Sequence, residues 1–307
     1  MILQDIKNKF QSKQIDKWNY IDQMYEQHAL LFDYSEFLKE TNISKIEIVD
    51  GDVVMTFRDS GVKFICTRND KRLAPFDTLN FGLYEAEELQ MQKKLISPDF
   101  KILDIGGNYG WYAIHMAIAF PESRIFSFEP IPRTYNHLIK NLEINGIRNV
   151  SALPFGFSEE EGSFEFYYDP TLSVNASLKN LTDKSTVESV TCQVSTLDKW
   201  ARDKTKIDFI KCDVEGAELL VFKGGKETLD RDKPIVFSEM LRKWTAKFNY
   251  HPNDIIDFFK NLGYEVYSLD GEDLKSFAKV TEETSETNYF FLHKEAHKSL
   301  IQQFCKS

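Results

Sequence analysis

The spacing of apolar residues changes along the chain and predicts different elements in its different parts. Residues 1 to about 40 place apolar and aromatic side chains three and four positions apart, which predicts two amphipathic helices. Residues 46–68 alternate or run in β-branched residues between short glycine turns, which predicts a β-meander that leads into the core. A further helix is predicted to follow Glu85 and to end near Ile96, ahead of Pro98.

From residue 101 onward, short apolar strands alternate with segments of helical spacing. Strands are predicted at 102–105, 124–130, 150–157, 207–216 with its turn, 234–240, 265–269 and 288–293. This alternation predicts an α/β fold, in which a mostly parallel sheet is covered by helices on both faces and the last strand is inserted antiparallel. Residues 162–200 predict a β-hairpin with a long loop between its strands, and loops of this length tend to cover a site. Single helices are predicted at 217–229 and 252–262, with a short one in the tail from Glu295.

A glycine-rich turn directly follows the first of these strands and carries the first sign of a ligand. Its frame is D-x-G-x-N-x-G, formed by Asp104, Gly106, Asn108 and Gly110, with Gly107 beside the first glycine. A dinucleotide site would place a pyrophosphate on a G-x-G-x-x-G turn. Here an acid ends the strand, and a carboxylate suits an ammonium group and repels a phosphate. We therefore predict S-adenosylmethionine as the ligand, with Asp104 at its amino group; the simpler alternative is a glycine turn without a ligand.

The ends of the next two strands extend the predicted cofactor site. Glu129 ends the second strand, 25 residues beyond Asp104, where an acid of a βαβ unit reaches the ribose hydroxyls. Phe155 and Gly156 end the third strand, where the adenine would lie. The alternative for Glu129 is an ordinary acid at a strand end.

Three further acids are predicted at the same edge of the sheet, at the ends of later strands. They form an acceptor half of the site, separate from the cofactor half that Asp104 and Glu129 form. Methyl transfer to a hydroxyl requires alignment and the loss of a proton, so a carboxylate is expected as general base. Asp213 is the first candidate and Glu239 the second, while Lys211 shares a strand face with Asp213 and would hold it ionised. His251 is the histidine best placed for the acceptor.

Two other roles for these acids stay open. Asp213, Glu215 and Glu239 could bind Mg²⁺ through their oxygens, an alternative that we do not favour over a site without metal. They could also cap helix starts or pair with basic neighbours, and Glu215, inside its turn, is the strongest candidate for capping.

Net charge, cysteine spacing and the absence of long apolar runs limit the partners and the compartment that we expect. The 307 residues carry a formal net charge of −10 and no lysine or arginine cluster, so nucleic acid is not expected as a substrate. The four cysteines are far apart in sequence and form no C-x-x-C pair, which fits a reducing compartment. The first residues lack the apolar core of a signal peptide and no apolar run has the length of a membrane span, so a cytoplasmic protein is expected.

The ordered set of motifs resembles the FkbM-type family of class I S-adenosylmethionine-dependent methyltransferases, across roughly residues 50–293. The matching segments are 82–85 (GLYE), 104–110 (DIGGNYG), 128–130 (FEP), 175–178 (NASL), 196–198 (TLD) and 207–218 (IDFIKCDVEGAE). One departure is Gly107, where the family often has alanine.

The resemblance implies a Rossmann-like sheet of seven strands and a methylated hydroxyl acceptor, with S-adenosylhomocysteine as product. It implies that Tyr84 and Glu85 help close the cofactor site, that Pro130 belongs to it, and that Lys211, Asp213 and Glu215 belong to the active centre. The acceptor it suggests is a sugar hydroxyl of a surface glycan or glycosylated precursor. A lipid, polyketide or peptide acceptor, or a nucleotide-binding scaffold without turnover, are the alternatives.

Four segments follow from this reading. They are a helical extension at 1–45, a β-meander and helix at 46–98, the Rossmann-like domain at 99–295, and a tail at 296–307. The N-terminal extension lies outside the resemblance, and its two helices are predicted to pack on the main domain or to form a homodimer.

Overall fold

The fold is built around one large sheet that receives strands from residue 101 to the C-terminus. The computed structural model describes residues 1–181 and 186–306, of which 172–175 and 306 are described by their backbone alone. The strands of the large sheet are β4 (Lys101–Ile105), β5 (Arg124–Phe128), β6 (Val150–Leu153), β11 (Phe209–Cys212), β12 (Ile235–Glu239), β13 (Tyr264–Asp270), β14 (Asp273–Ser276), β15 (Asn288–His293) and β16 (Cys305–Lys306).

The order of strands in this sheet is β16-β14-β13-β15-β12-β11-β4-β5-β6. Strands β6, β5, β4, β11 and β12 are parallel, and β15 is inserted antiparallel between β12 and β13. The predicted seven-stranded Rossmann-like sheet with an antiparallel last strand is therefore confirmed. The short edge strands β14 and β16 add to it and were not predicted.

Helices cover both faces of the sheet, because strands buried on both faces need apolar cover on each. Successive residues of β4 show this: Leu103 belongs to the apolar cluster on one face and Ile102 to the cluster on the other. The helices of the described residues are α1 (Ile2–Gln11), α2 (Lys17–Phe37), α3 (Ala74–Phe81), α4 (Ala86–Leu95), α5 (Trp111–Ala119), α6 (Pro132–Ile144), α7 (Leu197–Ala201), α8 (Glu218–Lys223), α9 (Lys226–Asp232), α10 (Arg242–Thr245), α11 (Pro252–Asn261) and α12 (Lys298–Phe304).

The N-terminal extension combines a helical hairpin with a separate sheet. The two predicted helices are α1 and α2, and the predicted meander is the antiparallel sheet of β1 (Ile43–Val49), β2 (Asp52–Phe57) and β3 (Lys63–Cys66). Phe57 and Phe64 of this sheet pack on Trp111 at the start of α5, with ring centroids 5.0 and 5.7 Å apart. The meander therefore covers the helix that follows the glycine turn. Helix α3 was not predicted.

A second sheet is formed by residues that lie between β6 and β11 in the chain, and it differs from the predictions at two places. The predicted strand 150–157 divides at Pro154, which has no N–H to donate, so that β6 joins the large sheet and β7 (Gly156–Phe157) joins the second. The two strands of the predicted hairpin are β8 (Gly162–Asp169) and β10 (Glu188–Ser195), which pair antiparallel, but part of the predicted loop between them forms a third strand, β9 (Leu172–Ser177). Their order is β7-β10-β8-β9. Residues 182–185 of the predicted loop lie outside the described residues.

The predicted helix 217–229 is also two helices, α8 and α9, which meet at Gly224 and Gly225. A Cβ at Gly224 would lie 2.1 Å from the carbonyl oxygen of Ser158, so the backbone of this junction presses on the segment after β7. Helix α10 and the 3-10 turn Ala246–Phe248 were not predicted. Among the helices described, none has the length and apolar composition needed to cross a membrane.

Candidate active site

The glycine turn between β4 and α5 packs closely against neighbouring segments of the chain. Gly106 has φ +78°, and a Cβ there would lie 1.9 Å from the carbonyl oxygen of Asp213. A Cβ at Gly107 would lie 2.1 Å from Oγ of Ser127, and one at Gly110, with φ +93°, would lie 2.6 Å from Leu138. The three glycines are needed because β5, β11 and α6 press against the turn.

Asp104 lies beneath this turn and is in register with a partner on each side. Ser127 faces it on β5 and Lys211 faces it on β11. Oδ2 of Asp104 accepts a hydrogen bond of 2.8 Å from Ser127, and Oδ1 lies 3.5 Å from Nζ of Lys211. The carboxylate is 2% exposed. Its contact with a cofactor amino group stays a prediction.

Glu129 follows β5 and accepts a backbone hydrogen bond at each oxygen. Oε2 accepts from the N–H of Asn108 and Oε1 from that of Ile131, both at 2.9 Å. Burial raises the pKa of Glu129 to about 7, although the two backbone donors act in the opposite direction. Asn108 itself has φ +46°, and its Oδ1 is buried with no hydrogen-bond partner among the residues that the structure describes.

Lys211 connects the cofactor half of the site to the acceptor half. Its ammonium donates to the carbonyl of Gly106 at 2.7 Å and lies 3.8 Å from Oδ2 of Asp213. Burial opposes the positive charge, but Asp104 and Asp213 more than offset it, so the pKa of Lys211 lies above its ordinary value. Lys211 is therefore charged, and its charge is shared between two carboxylates.

The three predicted acceptor acids do converge. One carboxylate oxygen each from Asp213, Glu215 and Glu239 lies within 4.8 Å of the others. Burial, reinforced by the neighbouring carboxylates, raises the pKa of both Glu215 and Glu239 well above the ordinary value. Glu215 also has φ +54°, and its carbonyl accepts a hydrogen bond of 2.8 Å from Ser177 of β9. The second sheet is thereby fastened to the acceptor edge.

The capping role expected of Glu215 belongs to Glu218. Oε1 of Glu218 accepts from the N–H groups of Val214 and Gly216, at 3.1 and 3.0 Å, and its other oxygen accepts from the hydroxyl of Tyr250 at 3.3 Å. The expectation for Glu215 was wrong because the turn after β11 directs these N–H groups toward the start of α8. Glu215 instead lines the cleft that is described next.

A cleft joins these groups on the carboxyl-end side of the sheet. Its walls are formed by residues of the glycine turn, the end of β5, the second sheet and the acceptor turn: Gly106, Asn108, Glu129, Pro130, Ile131, Phe166, Ala176, Asp213 and Glu215. Gly156 contacts this wall through Pro130 and Phe166. Phe155 packs against the core, edge-on to Phe128 with ring centroids 5.3 Å apart. The side chain of Asn175, from the 175–178 motif, lies outside what the structure describes.

A second cleft opens on the other side of Asn108, toward the N-terminal segment. Tyr84, Tyr109 and Trp111 line it together with Arg72. Tyr84 stands edge-on to Trp111 at 5.1 Å between centroids. Glu85, with φ +44°, begins α4; burial raises its pKa to about 7, while a hydrogen bond from Tyr112 lowers it. Tyr84 thus shares a cleft with Asn108 of the glycine turn, and the role of Tyr84 and Glu85 in closing the cofactor site stays a prediction.

The side chain of His251 caps a helix. Its Nδ1 accepts the N–H of Asn253 at 3.2 Å and caps α11, so in the neutral ring the proton is on Nε2. It lines a neighbouring cleft with Arg242 and Lys243. A ring whose basic nitrogen is engaged by the backbone is a poor general base.

A match to a family model shows which protein family this chain belongs to. The model, described as the methyltransferase FkbM domain, matches residues 104–266, more than half of the chain. The chain belongs to the FkbM methyltransferase family. The match begins at Asp104 and includes Glu129, Lys211, Asp213, Glu215 and Glu239, so the cleft described above is built largely from the family's own segment.

Several curated proteins are similar to this FkbM-family chain. The 2-O-methyltransferase NoeI of Sinorhizobium fredii is 27% identical over 164 residues, covering 47% of this chain and 67% of that protein. The hexuronic acid methyltransferase AglP of Haloferax volcanii is 31% identical over 150 residues, covering 48% and 55%. The methyltransferase sdnD of Sordaria araneosa is 31% identical over 156 residues, covering 41% and 60%. The chain spans about six tenths of the length of these three relatives.

Solved structures of low sequence identity also match. The methyltransferase FkbM of Methylobacillus flagellatus is 16% identical, with 70% of this chain and 53% of that chain covered and a TM-score of 0.42. A TehB-like SAM-dependent methyltransferase of Corynebacterium glutamicum is 12% identical, with 70% and 91% covered and a TM-score of 0.41.

Proposed function

We propose that this FkbM-family chain transfers a methyl group from S-adenosylmethionine to a hydroxyl of a sugar, in a surface glycan or a glycosylated precursor, with Asp213 as general base. The observation that carries the proposal is the single cleft shared by the glycine turn, Glu129 and Asp213. This shared lining supports a cofactor half that lies beside a carboxylate for the acceptor.

The residues of the cofactor half fit this donor. Each oxygen of Glu129 uses one lone pair on a backbone N–H and keeps another for a ribose hydroxyl. The buried Oδ1 of Asn108 is an acceptor suited to a donor on the ligand. Pro130, Ile131 and Phe166 supply an apolar wall for the nucleoside. Gly106, Gly107 and Gly110 shape the turn, Tyr84 lines the second cleft beside Asn108, and Glu85 follows Tyr84 at the start of α4.

When bound, the cofactor supplies a methyl carbon attached to a sulfonium, a leaving group that departs uncharged. The protein's own work is to hold the acceptor oxygen in line and to remove its proton. We assign that proton to the carboxylate of Asp213, which is partly exposed to the cleft. Lys211, 3.8 Å away, stabilises the negative charge that Asp213 needs before the proton arrives.

Glu215 and Glu239 take a different part in this proposal. Burial raises the pKa of both, which favours the protonated carboxyl, and a protonated carboxyl can donate a hydrogen bond to an acceptor oxygen. Glu239 is the second candidate for the base. The same three carboxylates would coordinate a Mg²⁺ ion if one were bound, and that alternative has its own test below.

The printed names of two relatives support a carbohydrate hydroxyl as acceptor. One is a 2-O-methyltransferase and another a hexuronic acid methyltransferase. The alternatives are a lipid, polyketide or peptide acceptor, or a scaffold without turnover. A nucleic acid acceptor is not proposed, because the net charge is −10.

Calorimetric titration followed by a transfer assay tests the proposal. S-adenosylmethionine is expected to bind and NAD is not. Glu129→Ala is expected to weaken cofactor binding at least about tenfold, through loss of charge-assisted hydrogen bonds, whereas Glu160→Ala, at an exposed acid, leaves it unchanged. Mass spectrometry of oligosaccharides incubated with cofactor should show added methyl groups. NAD binding without S-adenosylmethionine binding would overturn the donor, and methylation of lipid or peptide probes alone would overturn the acceptor.

A further inference from the structure

The N-terminal helical hairpin exposes an unusual share of the protein's large apolar side chains. Twelve of the seventeen exposed large hydrophobic residues described in the structure lie within residues 1–37. Helix α2 has 21 residues and none of them is buried. It packs on α1, where Phe10 stacks on Tyr20 with ring centroids 4.4 Å apart, and most of its remaining surface is exposed. An apolar helix with so little burial indicates an interaction surface.

One stripe of α2 has the spacing of a coiled-coil seam. Its members follow one another at intervals of three, four, three, four and three residues, and all six are exposed: Trp18, Ile21, Tyr25, His28, Phe32 and Ser35. This heptad spacing aligns them on one face of the helix. Helix α1 lies on a different face, which contains Tyr20. The seam, defined as these six residues, is therefore free to receive another helix.

We propose that the seam pairs with the same seam of a second copy of this chain, antiparallel, about a two-fold axis between residues 26 and 27. The sequence is self-complementary about that point. Ile21 falls level with Phe32, Tyr25 with His28, and Trp18 with Ser35, so that the largest side chain of the seam faces the smallest. An isologous dimer requires this kind of matching.

The charges of α2 favour the antiparallel direction. The helix carries one lysine and four acids, and in this pairing each acid falls level with a residue that is not acidic: Asp22 with Leu31, Glu26 with Gln27, Asp33 with Tyr20 and Glu36 with Lys17. A parallel pair would place every acid level with its own copy, and like charges repel. The same acids disfavour an anionic membrane surface, which attracts basic helices.

The exposed aromatic side chains of the seam supply about half of the area that each partner buries in a standard dimer interface. The three aromatic side chains of the seam, Trp18, Tyr25 and Phe32, are 63–72% exposed. Since each can bury ~150–250 Å², they offer on the order of 400 Å², to be compared with about 800 Å² per partner in a standard interface. Ile21, which is 42% exposed, adds to this surface.

The first test measures the oligomeric state of the full chain by sedimentation equilibrium. The wild-type chain is expected to dimerise. Phe32→Glu, which buries an unpaired carboxylate in the seam, should weaken the dimer at least about a hundredfold. The matched control Leu30→Glu, at an exposed apolar position of the same helix outside the seam, should remain dimeric. A monomeric wild-type chain, or a dimer that Phe32→Glu leaves unchanged, overturns the proposal.

The second test reads the direction of pairing without destabilising the helix. Ile21→Cys and Phe32→Cys chains are prepared separately in a Cys305→Ser background, because Cys66, Cys192 and Cys212 are buried. Antiparallel pairing predicts disulfide-linked dimers only after the two chains are mixed and oxidised. Cross-linking of either chain with itself, absence of cross-linking in the mixture, or binding of a monomeric chain to phosphatidylcholine–phosphatidylserine vesicles would each overturn it.

Discussion

Asp104 and Lys211 stand opposite each other in register on β4 and β11, with Oδ1 and Nζ 3.5 Å apart and both side chains buried. The same ammonium donates to the carbonyl of Gly106 and lies 3.8 Å from Asp213. One buried cation therefore joins the strand that carries the glycine turn to the carboxylate proposed as general base.

Removal of this cation should destabilise the protein strongly. Lys211→Met leaves Asp104 buried without its counter-charge, and we expect the free energy of unfolding to fall by about 3–5 kcal/mol. Lys211→Met combined with Asp104→Asn should recover part of the loss, because no unpaired charge remains. Urea unfolding measures both. Lys199→Met, which breaks the exposed pair with Glu161, serves as control and should cost under about 1 kcal/mol. Equal losses in the single and double variants would contradict the ion-pair account.

The raised pKa of Glu129 predicts a pH dependence of stability in the cofactor-free protein. A carboxyl group with a pKa of about 7 when folded, and about 4.3 when unfolded, favours the folded state in its protonated form. Its contribution is complete below the unfolded value and is lost as pH rises to about 7. The melting temperature of the wild type relative to Glu129→Gln should therefore decline across this range. A difference that does not vary with pH would refute the burial of a protonated Glu129.

The glycine turn offers a substitution with a matched control. Gly106→Ala places a Cβ 1.9 Å from the carbonyl oxygen of Asp213, in a backbone conformation that alanine adopts at a cost. Gly61 has a similar φ of +69° but nothing within 4 Å of its would-be Cβ. Gly61→Ala should cost about 1 kcal/mol, whereas Gly106→Ala should cost more and abolish cofactor binding. Calorimetry and thermal unfolding check both, and equal effects would show that the contact with Asp213 is unimportant.

The acidic cluster predicts that turnover needs no divalent cation. Glu215 and Glu239 share their site with Asp213 and have raised pKa values, which favours protons on them rather than three free negative charges. We expect EDTA to leave the transfer rate unchanged and Mg²⁺ titration to give no binding heat. Activity lost in EDTA and restored by Mg²⁺ would instead assign the three carboxylates to a metal.

Much of the large sheet could be predicted from the sequence, because its strands are short apolar runs buried on both faces. The second sheet could be predicted only in part. Its hairpin of β8 and β10 was expected, whereas β9 was not, because its pairing with β8 depends on tertiary contacts rather than on its own pattern. The break between α8 and α9 was missed for a similar reason. Gly224 reads as an ordinary helix residue until Ser158 is brought against it.

The sequence predicted that three acids of the candidate site lie together, but it predicted the structural roles of the site residues only in part. Asp213, Glu215 and Glu239 were expected together because strand ends of a parallel sheet share an edge, and the structure brings them together. Ser127 was missed, although aligning β4 with β5 would have placed it opposite Asp104. From the sequence, the capping role that Glu218 has was expected of Glu215. Residue types alone do not predict the path of this turn, which has φ +54° at Glu215 and +95° at Gly216.

The identity of the general base is tested most directly by comparing Asp213→Asn with Glu239→Gln. The measurement is the single-turnover rate of methyl transfer at saturating cofactor, together with the cofactor dissociation constant by calorimetry. We predict that Asp213→Asn lowers the rate at least about a hundredfold, while its cofactor affinity stays close to that of the wild type and Glu239→Gln retains more activity. A wild-type rate in Asp213→Asn would contradict the account, and a selective loss in Glu239→Gln would move the base to Glu239.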